Sequence, residues 1–549
     1  MKDYEYYKAR ATDVNVKLED ITDEYNAYLL ARLRDNDPLL KYISITTEED
    51  EKNGFEVRGG DDLGWLGYFI GKSEKLKTLN IDDSLNNINL NAFSEGLGHN
   101  QSIQSLNIGI DFGESFQSLV PFLRNNDSLS ELTFHHFDIG LQCARNIALL
   151  LGQQSSLKRL EIYDAGLDDE GLVEILTAVR HTQIEELSLP GNHNSLGRDG
   201  YAALGRMLKD SRLSHLNVGF SSIEDERICT LVAGLKNCYN LTSLNLNGNE
   251  SITEAGLSSL SIFFQSDNCR LEQIFLAQMN IDDEGVSILA PGLANLPTLR
   301  KLNLSCNSIG DQGIQAMVRG LINCQSLEEL RLSNNHFTAN GLAALSLLLR
   351  AEHCNLSSLY LYFINICDDG AAALTNGLRG NKSLTTLYFN VASVKASVLT
   401  AFSRLLFDTS SVNNTYLSNH TLEKIRDFVP EMQDTPQDIV QYLKWNESLK
   451  QAAAICKILH SHPDIDITPL FEFNLKCLPF VVAWLEKAKS YLDNVNESTE
   501  SFQSRQLSAV YKFVRGMPQL VVDGYRRQKT RDMLQSEAAT KKRKFDLAL

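Results

Sequence analysis

Apolar residues recur along this chain in one short alternating pattern, L-x-x-L-x-L, at nearly constant spacing. The pattern begins at Leu76 and ends in degraded form at Val412; the copies between them begin at Ile103, Leu129, Leu157, Ile184, Leu213, Leu241, Leu271, Leu299, Leu327, Leu356 and Leu384. The 336 residues from Leu76 to Val412 contain twelve steps, so the mean period is 336/12, or 28 residues. A fixed period of this length predicts stacked units, each burying its apolar face against its neighbours.

One repeat, residues 299–326, shows which elements the pattern predicts. The alternation in LRKLNL favours a short strand with Leu302 and Leu304 facing inward. Asn307 then turns the chain, and we expect its side-chain amide to bond backbone groups of neighbouring turns. Asp311 is placed to help cap the helix that follows. The apolar stripe of that helix has helical spacing and consists of Ile314, Met317, Val318 and Leu321.

The polar landmarks of this repeat return at the same phase elsewhere. The matching asparagines are Asn192, Asn249 and Asn335, and the glycines that match Gly313 are Gly171, Gly285, Gly341 and Gly370. The resulting consensus, L-x-x-L-x-L-x-x-N-x-I-x-x-x-G over residues 39–420, resembles the leucine-rich repeat of the ribonuclease-inhibitor type. The resemblance implies an α/β solenoid shaped as a horseshoe, with a parallel sheet on the concave side and helices on the convex side.

The two ends of the chain do not follow the repeat. Residues 1–38 contain EYNAYLLARLRDND, an amphipathic stretch that predicts a helical cap over the first repeat. Residues 421–525 have helical patterns and are predicted to form a C-terminal helical domain. The segments GWLGYFIGK and SFQSRQLSAVYKFVRGMP are similar to segments of leucine-rich repeat proteins of diatom-type algae.

The last residues, 526–549, form a basic tail. The run Lys541, Lys542, Arg543 and Lys544 resembles the second half of a bipartite nuclear import signal. The alternative is a solvated C-terminus in which basic residues occur by chance. We therefore expect a cytoplasmic protein, a nuclear protein, or one found in both compartments.

The segment GWLGYFIGKS ends in the Gly-Lys-Ser of a phosphate-binding loop, but its spacing is wrong. A Walker A loop needs four residues between its first glycine and the Gly-Lys-Ser. Three residues separate Gly67 from Gly71, and six separate Gly64 from it. The segment also lies where other repeats have their helix, so we predict a repeat helix and no nucleotide site.

The composition of the chain limits the classes of partner and the kinds of chemistry that we expect. A net charge of −17 argues against broad nucleic-acid binding, and no apolar run is long enough to span a membrane. Ten cysteines are too few for a disulfide scaffold. Four of them share one repeat phase and are predicted to be small packing residues: Cys238, Cys269, Cys324 and Cys354. We expect an intracellular, monomeric protein without cofactor or metal; the strongest metal-like cluster, Cys456, His460 and His462, has no evident fourth ligand.

The concave face carries the candidate binding residues. Side chains at the fifth repeat position point away from the buried leucines, and this position holds tyrosine at Tyr360, Tyr388 and Tyr416. The seventh position adds Tyr362, and the fifth position of earlier repeats supplies Phe275 and Arg331. Four tyrosines on adjacent strands predict an aromatic patch, which either contacts a protein partner or is covered by the C-terminal helical domain.

Two functions are compatible with these observations. The first is a non-enzymatic protein-binding scaffold or receptor that uses the concave face. The second is a GTPase-activating protein, because the Ran GTPase activators carry the same repeat type; those proteins typically end in an acidic tail, whereas this chain ends in a basic one. An immune-type receptor with a nucleotide switch would need a Walker A module before the repeats, and only about 38 residues precede them here.

Overall fold

The structure is a computed structural model of the chain, and its description covers two compact units. It describes residues 2–461 except 12–20, 22, 47–52, 58–59, 82–89, 110–112, 125, 136–138, 154, 181, 193–196, 210, 428–434 and 450–452. The first unit comprises Met1–Gly377, Thr386–Val394 and Arg426–Met432. The second comprises Leu378–Thr385, Lys395–Ile425 and the described residues after Gln433.

Fifteen short strands form a single sheet. Their bounds are β1 Tyr42–Ile45, β2 Gly54–Phe55, β3 Thr78–Ile81, β4 Ser105–Ile108, β5 Glu131–His135, β6 Arg159–Tyr163, β7 Glu186–Ser188, β8 His215–Asn217, β9 Ser243–Asn245, β10 Gln273–Phe275, β11 Lys301–Asn303, β12 Glu329–Arg331, β13 Ser358–Tyr360, β14 Thr386–Tyr388 and β15 Lys424–Arg426. The strand order is β2-β1-β3, followed by β4 to β15 in chain order. Every neighbouring pair from β2 to β14 is parallel.

Helices alternate with these strands along the chain. Their bounds are α1 Tyr4–Arg10, α2 Glu24–Arg34, α3 Gly60–Lys72, α4 Asn91–His99, α5 Gly113–Leu123, α6 Leu141–Leu151, α7 Asp169–Val179, α8 Arg198–Leu208, α9 Asp225–Leu235, α10 Glu254–Phe264, α11 Asp283–Leu293, α12 Asp311–Leu321, α13 Ala339–Leu349, α14 Asp368–Leu378, α15 Ala396–Leu406, α16 Val412–Tyr416, α17 Gln437–Leu449 and α18 Ala453–Ser461. This alternation of parallel strands and helices, repeated along an unclosed sheet, is an α/β leucine-rich repeat solenoid, as the sequence predicts. The segment GWLGYFIGKS lies in α3 up to its last residue, Ser73, so the prediction of a repeat helix there is confirmed.

The core lies between the sheet and the row of helices. In the repeat of residues 299–326, Leu302 and Leu304 on the strand side and Ile314, Met317 and Leu321 on the helix side are all at most 1% exposed. Adjacent helices approach closely where glycine faces glycine. A Cβ atom added to Gly234 on α9 would lie 2.4 Å from the Cα atom of Gly205 on α8.

The asparagines of the repeat form hydrogen bonds between turns, as predicted. The Asn307 amide donates to the carbonyl oxygens of Leu276 and Leu304 at 2.8 and 3.0 Å. Its oxygen accepts the backbone N–H groups of Met279 and Ile281, both at 3.0 Å. Asn192, Asn249 and Asn335 bond the preceding turn in the same way.

The prediction that Asp311 caps its own helix is wrong, because Asp311 caps the helix of the next repeat. Helix α12 begins after Gly310, and no side chain caps it from that position. The Asp311 carboxylate instead accepts the backbone N–H groups of Thr338 and Gly341, both at 2.7 Å, at the start of the next helix, α13. Three earlier aspartates do the same for the helix of the following repeat: Asp169, Asp225 and Asp283.

The last predicted repeat is also placed wrongly. Residues Val412–Tyr416 form the short helix α16 and not a strand; Ser411 caps this helix by accepting the backbone N–H of Asn414 at 3.1 Å. The strand that follows β14 is β15, Lys424–Arg426, which lies beyond the predicted end of the repeats at residue 420.

At the N-terminal end of the first unit, α1 and α2 precede the first strand. Tyr4 and Tyr7 of α1 are buried at 3% and 2% exposure. The Asn26 side chain on α2 both donates to the carbonyl oxygen of Glu56 and accepts its N–H group, at 2.6 and 3.1 Å. This amide satisfies the backbone just beyond β2, the edge strand of the sheet.

The second unit is helical and contains a buried lysine. Lys457 on α18 is 0% exposed. Its ammonium group donates to the carbonyl oxygen of Leu406 at 2.6 Å and to the Asn446 side-chain oxygen at 2.7 Å. No helix in the described part of the chain is both long and apolar enough to cross a membrane. The predicted basic tail, 526–549, and the helical domain beyond residue 461 lie outside the described residues.

Candidate functional site

The face of the sheet opposite the buried leucines, called the open face here, carries the fifth-position side chains in one row aligned by the strand register. Strand register aligns Phe275 on β10 with Asn303 on β11, and then with Arg331 on β12, Tyr360 on β13 and Tyr388 on β14. In each of these three-residue strands the middle residue, at the fourth repeat position, is buried, and the residues before and after it are half-buried. The open face is therefore built from side chains whose positions the parallel register fixes.

Three of the four predicted tyrosines form a single cluster. The rings of Tyr360 and Tyr388 are stacked, with centroids 3.9 Å apart and planes 6° from parallel. Tyr362 meets both rings edge-on, at 6.5 Å from Tyr360 and 5.8 Å from Tyr388. Such edge-to-face pairs are favourable beyond the area they bury, so the cluster is held in one arrangement.

Arg331 completes the cluster on its β12 side. Its guanidinium lies 4.6 Å from the ring centroid of Tyr360, which is a cation–π contact. The same guanidinium is bound through Nε to Glu329 at 2.5 Å, and 42% of the Arg331 side chain remains exposed. The guanidinium of Arg331 is therefore oriented from two sides and still accessible to solvent.

A backbone contact fixes Tyr362 from the other side. Its hydroxyl donates to the carbonyl oxygen of Asp427 at 3.1 Å, and the Asp427 carboxylate in turn accepts the N–H group of Val391 at 2.9 Å. Burial raises the pKa of both Tyr360 and Tyr362 above the ordinary value, and the neighbouring Tyr388 raises it further. The two hydroxyls are therefore protonated at neutral pH and act as hydrogen-bond donors.

Phe363 stands beside the cluster in an unusual backbone conformation. Its φ angle is +58°, in the left-handed region, and 56% of its surface is exposed. The other repeats place Asp164, Gly191, Phe220, Gly248, Gln278, Cys306 and Asn334 at the same phase, all with positive φ. A bulky aromatic residue is disfavoured there, so the repeat turn holds Phe363 in an exposed position at some energetic cost.

Two of the predicted binding residues lie outside this cluster. Tyr416 is 63% exposed, but it is on α16 in the second unit and does not continue the row of strands. Phe275 is in the row but is separated from Arg331 by the strand that carries Asn303. Sequence reasoning missed Arg426, which has the fifth position on β15; the signal was LEKIR, an L-x-x-I copy beginning at Leu422.

The open face of β3 to β8 has a different chemistry. Arg159 pairs with Glu161 at 3.0 Å and with Glu186 on the next strand at 3.5 Å. A recess of about 500 Å³ lies over the same strands, lined by Asn80, Asn107, Glu131, Thr133, Arg159 and Glu161. This part of the face is polar and carries more carboxylates than cations.

The described residues contain no group of His, Cys, Asp and Glu side chains that could hold a metal ion. The side chains of Cys456 and His460, and all of His462, lie outside the described part of the chain. Cys238 and Cys269 are buried, at 3% and 8% exposure, and burial raises the pKa of both thiols. Cys324 and Cys354 are only half-buried, so the packing role predicted for all four cysteines is most evident in the first two.

The comparisons with known proteins identify the repeat. The family described as Leucine Rich repeat matches residues 237–261, 295–318 and 323–346. These segments begin just before β9 and end within α13, so the chain contains leucine-rich repeats.

Three similar curated proteins are much longer than the region that matches this chain. NACHT, LRR and PYD domains-containing protein 3 of Rattus norvegicus is 26% identical over 196 residues, covering 30% of this chain and 19% of its own length. Protein NLRC5 of Ictalurus punctatus is 26% identical over 196 residues, covering 35% of this chain and 9% of its own length. NACHT, LRR and PYD domains-containing protein 5 of Mus musculus is 26% identical over 248 residues, covering 39% and 21%. The matched region is thus less than a quarter of each relative.

Among solved structures, the chain is similar to one from the crystal structure of the Rad7 and Elc1 complex in yeast. The sequence identity is 18% and the TM-score is 0.41; the alignment covers 69% of this chain and 92% of that one.

Proposed function

We propose that this chain is a non-enzymatic scaffold that binds a protein partner through the open sheet face of a ribonuclease-inhibitor-type repeat array. The observation that carries the proposal is the cluster of Tyr360, Tyr362, Tyr388 and Arg331, which is ordered by ring stacking, a cation–π contact and an ion pair. Tyrosine and arginine are the residue types enriched at the energetic centres of protein interfaces.

Pre-organisation supports the same conclusion. A side chain already held in place loses little conformational freedom on binding, whereas ordering a free side chain costs on the order of 0.5–1.5 kcal/mol. The cluster side chains are held before any partner arrives, and the residues remain half-buried and not covered within the first unit. In this proposal the protein acts as a monomer inside the cell and needs no cofactor.

The test is affinity capture from native cell extract, read by mass spectrometry, with three forms of the full chain. These are the wild type, the double variant Tyr360→Ala/Tyr388→Ala, and the control Tyr239→Ala, whose tyrosine is 61% exposed elsewhere on the first unit. Circular dichroism of each form establishes that it is folded before capture.

We expect proteins that the wild type and the control retain and the double variant loses. Truncation of an interface tyrosine at a hot spot costs on the order of 2 kcal/mol, or about 30-fold in affinity, which is sufficient for loss in a capture assay. An identical set from all three forms contradicts the proposal. A small GTPase among the tyrosine-dependent proteins supports the GTPase-activating alternative instead.

A further inference from the structure

The tyrosine cluster belongs to a longer row that arginine bounds at both ends. Each sixth-position N–H group donates to the fifth-position carbonyl oxygen of the next strand; the acceptors are Arg331, Tyr360, Tyr388 and Arg426, at 2.9, 3.0, 2.7 and 3.1 Å. Arg426 therefore has the same register on β15 as the tyrosines have on β13 and β14. We call these four residues the arginine–tyrosine row; all four belong to the first unit.

Both faces of the Tyr360 ring and one face of the Tyr388 ring are already occupied. Arg331 covers one face of Tyr360, and the 3.9 Å stack leaves no space between Tyr360 and Tyr388. A ligand cation would need an open aromatic face to be recognised by its charge. Tyr360, the central ring of the row, therefore offers no open face to a cationic group such as a lysine side chain.

The groups left for a ligand are hydrogen-bond donors. Burial and a hydrogen bond with the Tyr388 hydroxyl both raise the pKa of Tyr360, so the Tyr360 proton is donated to Tyr388 and the Tyr388 O–H is left for a ligand. Arg331 uses Nε for Glu329, which leaves its terminal N–H groups for another acceptor. Arg426 is exposed, and within the described part of the chain no carboxylate forms an ion pair with it.

The acidic groups beside the row are engaged elsewhere. Glu329 is bound to Arg331 and is 17% exposed. The Asp427 carboxylate accepts the backbone N–H groups of Val391 and Ala392, at 2.9 and 3.3 Å. Neither carboxylate is thus aimed at the hydroxyls of Tyr360 and Tyr388.

We infer that the arginine–tyrosine row binds an acidic segment of a partner protein, with partner carboxylates accepting hydrogen bonds from the two arginines and from the hydroxyl of Tyr388. This inference rests on the proposed function and specifies the chemistry of the partner. Hydrogen bonds from a guanidinium to a carboxylate are about twice as strong as neutral ones, so the charge of the partner decides the preference.

The row also sets the length of the segment. Neighbouring strands lie about 4.8 Å apart, so the three steps from β12 to β15 span about 14 Å. An extended chain advances about 3.4 Å per residue, so the first and fourth residues of a segment lie about 10 Å apart and their side chains span the remainder. Acidic side chains at both ends of such a tetrapeptide reach Arg331 and Arg426.

The test uses three fluorescein-labelled peptides of twelve residues, each a Gly-Ser chain with a central block of four glutamates, four glutamines or four lysines. Binding to the full-length protein is measured by fluorescence anisotropy at 50 and 200 mM salt. The variants are Arg426→Gln and Tyr388→Phe, which removes one hydroxyl and keeps the ring. The control is Arg227→Gln, which removes a half-buried arginine on the helix α9 and not on a strand of the open face.

We expect the glutamate peptide to bind at least about tenfold more tightly than the glutamine peptide, as charge-assisted hydrogen bonds require. Arg426→Gln and Tyr388→Phe each reduce that preference, higher salt reduces it, and Arg227→Gln leaves it unchanged. Equal binding of the glutamate and glutamine peptides, tighter binding of the lysine peptide, or no binding of any peptide overturns the inference. The capture experiment decides the proposed function separately: tyrosine-dependent partners without glutamate preference refute the acidic segment alone, whereas capture that does not depend on the tyrosines refutes both.

Discussion

The asparagine that recurs in four of the turns offers a sharp test of what stabilises the repeats. Asn307 is 6% exposed, and its side chain forms hydrogen bonds to four buried backbone groups from two turns, at 2.8–3.0 Å, and a longer one to the carbonyl oxygen of Ser305 at 3.3 Å. Replacement by alanine leaves two carbonyl oxygens and two N–H groups buried without these partners. We therefore expect Asn307→Ala to be far more damaging than the loss of a surface asparagine.

The magnitude follows from the number of bonds. Each buried group that loses its partner costs on the order of 1 kcal/mol, so the four groups around Asn307 correspond to about 3–4 kcal/mol. Asn295→Ala is the matched control, because the exposed Asn295 forms one hydrogen bond, to the carbonyl oxygen of Pro291 at 2.8 Å. The control is expected to cost less than about 0.5 kcal/mol, as exposed substitutions usually do.

Urea unfolding, followed by circular dichroism at 222 nm, measures the free energy of unfolding for both variants. Because long repeat arrays can depart from two-state behaviour, hydrogen exchange with mass spectrometry provides a local measure as well. The amides of Met279 and Ile281 donate to Asn307, so they are expected to exchange faster in Asn307→Ala. A loss below about 1 kcal/mol, together with unchanged exchange of these two amides, would refute the reasoning.

Three further predictions concern other parts of the chain. Burial lowers the pKa of Lys457 to about 7 from its ordinary 10.5. Between these two pH values the unfolded chain binds more protons than the folded one, so the free energy of unfolding is expected to rise with pH relative to that of Lys457→Met. Urea unfolding of both forms from pH 6.5 to 10.5 measures this difference. Gly234→Ala forces a Cβ atom against the backbone of α8 and should cost about 1–3 kcal/mol of stability, measured by thermal unfolding. Gly140→Ala is the control and should cost little, because there is open space around its added Cβ. Equal losses would contradict the close-packing argument. Phe363→Gly should be more stable than Phe363→Ala by about 1 kcal/mol, since only glycine adopts positive φ without strain; equal melting temperatures would exclude strain at this turn.

Much of the array could be predicted because one physical pattern repeats. Alternating leucines specify the strands, their 28-residue spacing specifies the parallel stacking, and a buried polar side chain such as Asn307 has to satisfy neighbouring backbone. The target of Asp311 could not be chosen in this way. The start of its own helix and the start of the next helix are both within reach of a carboxylate once the repeats stack, and only their packing offset decides which helix it caps.

The last strand of the array was predicted in the wrong place because the 28-residue period does not hold after the copy that begins at Leu384. The copy expected at Val412 has Thr415 at its fourth position, where every complete copy has Leu or Ile, and Ser411 provides a helix cap. The true strand follows Leu422, 38 residues after Leu384. The alignment of Tyr360 with Tyr388 was predictable from register, whereas their stacking and the cover by Arg331 depend on side-chain rotamers that no spacing specifies.

The carboxylates of Asp169, Asp225, Asp283 and Asp311 give the array a direction. Each completes the first turn of a helix that follows it by one repeat, so that helix depends on a residue which the ribosome has already delivered. During synthesis, the aspartate that caps the helix of a new repeat is thus already present in the preceding repeat. Each repeat can therefore fold as soon as it has been synthesised. Truncation from the C-terminal side leaves every remaining one of these helix starts capped, whereas truncation from the N-terminal side deprives the first remaining helix of its cap.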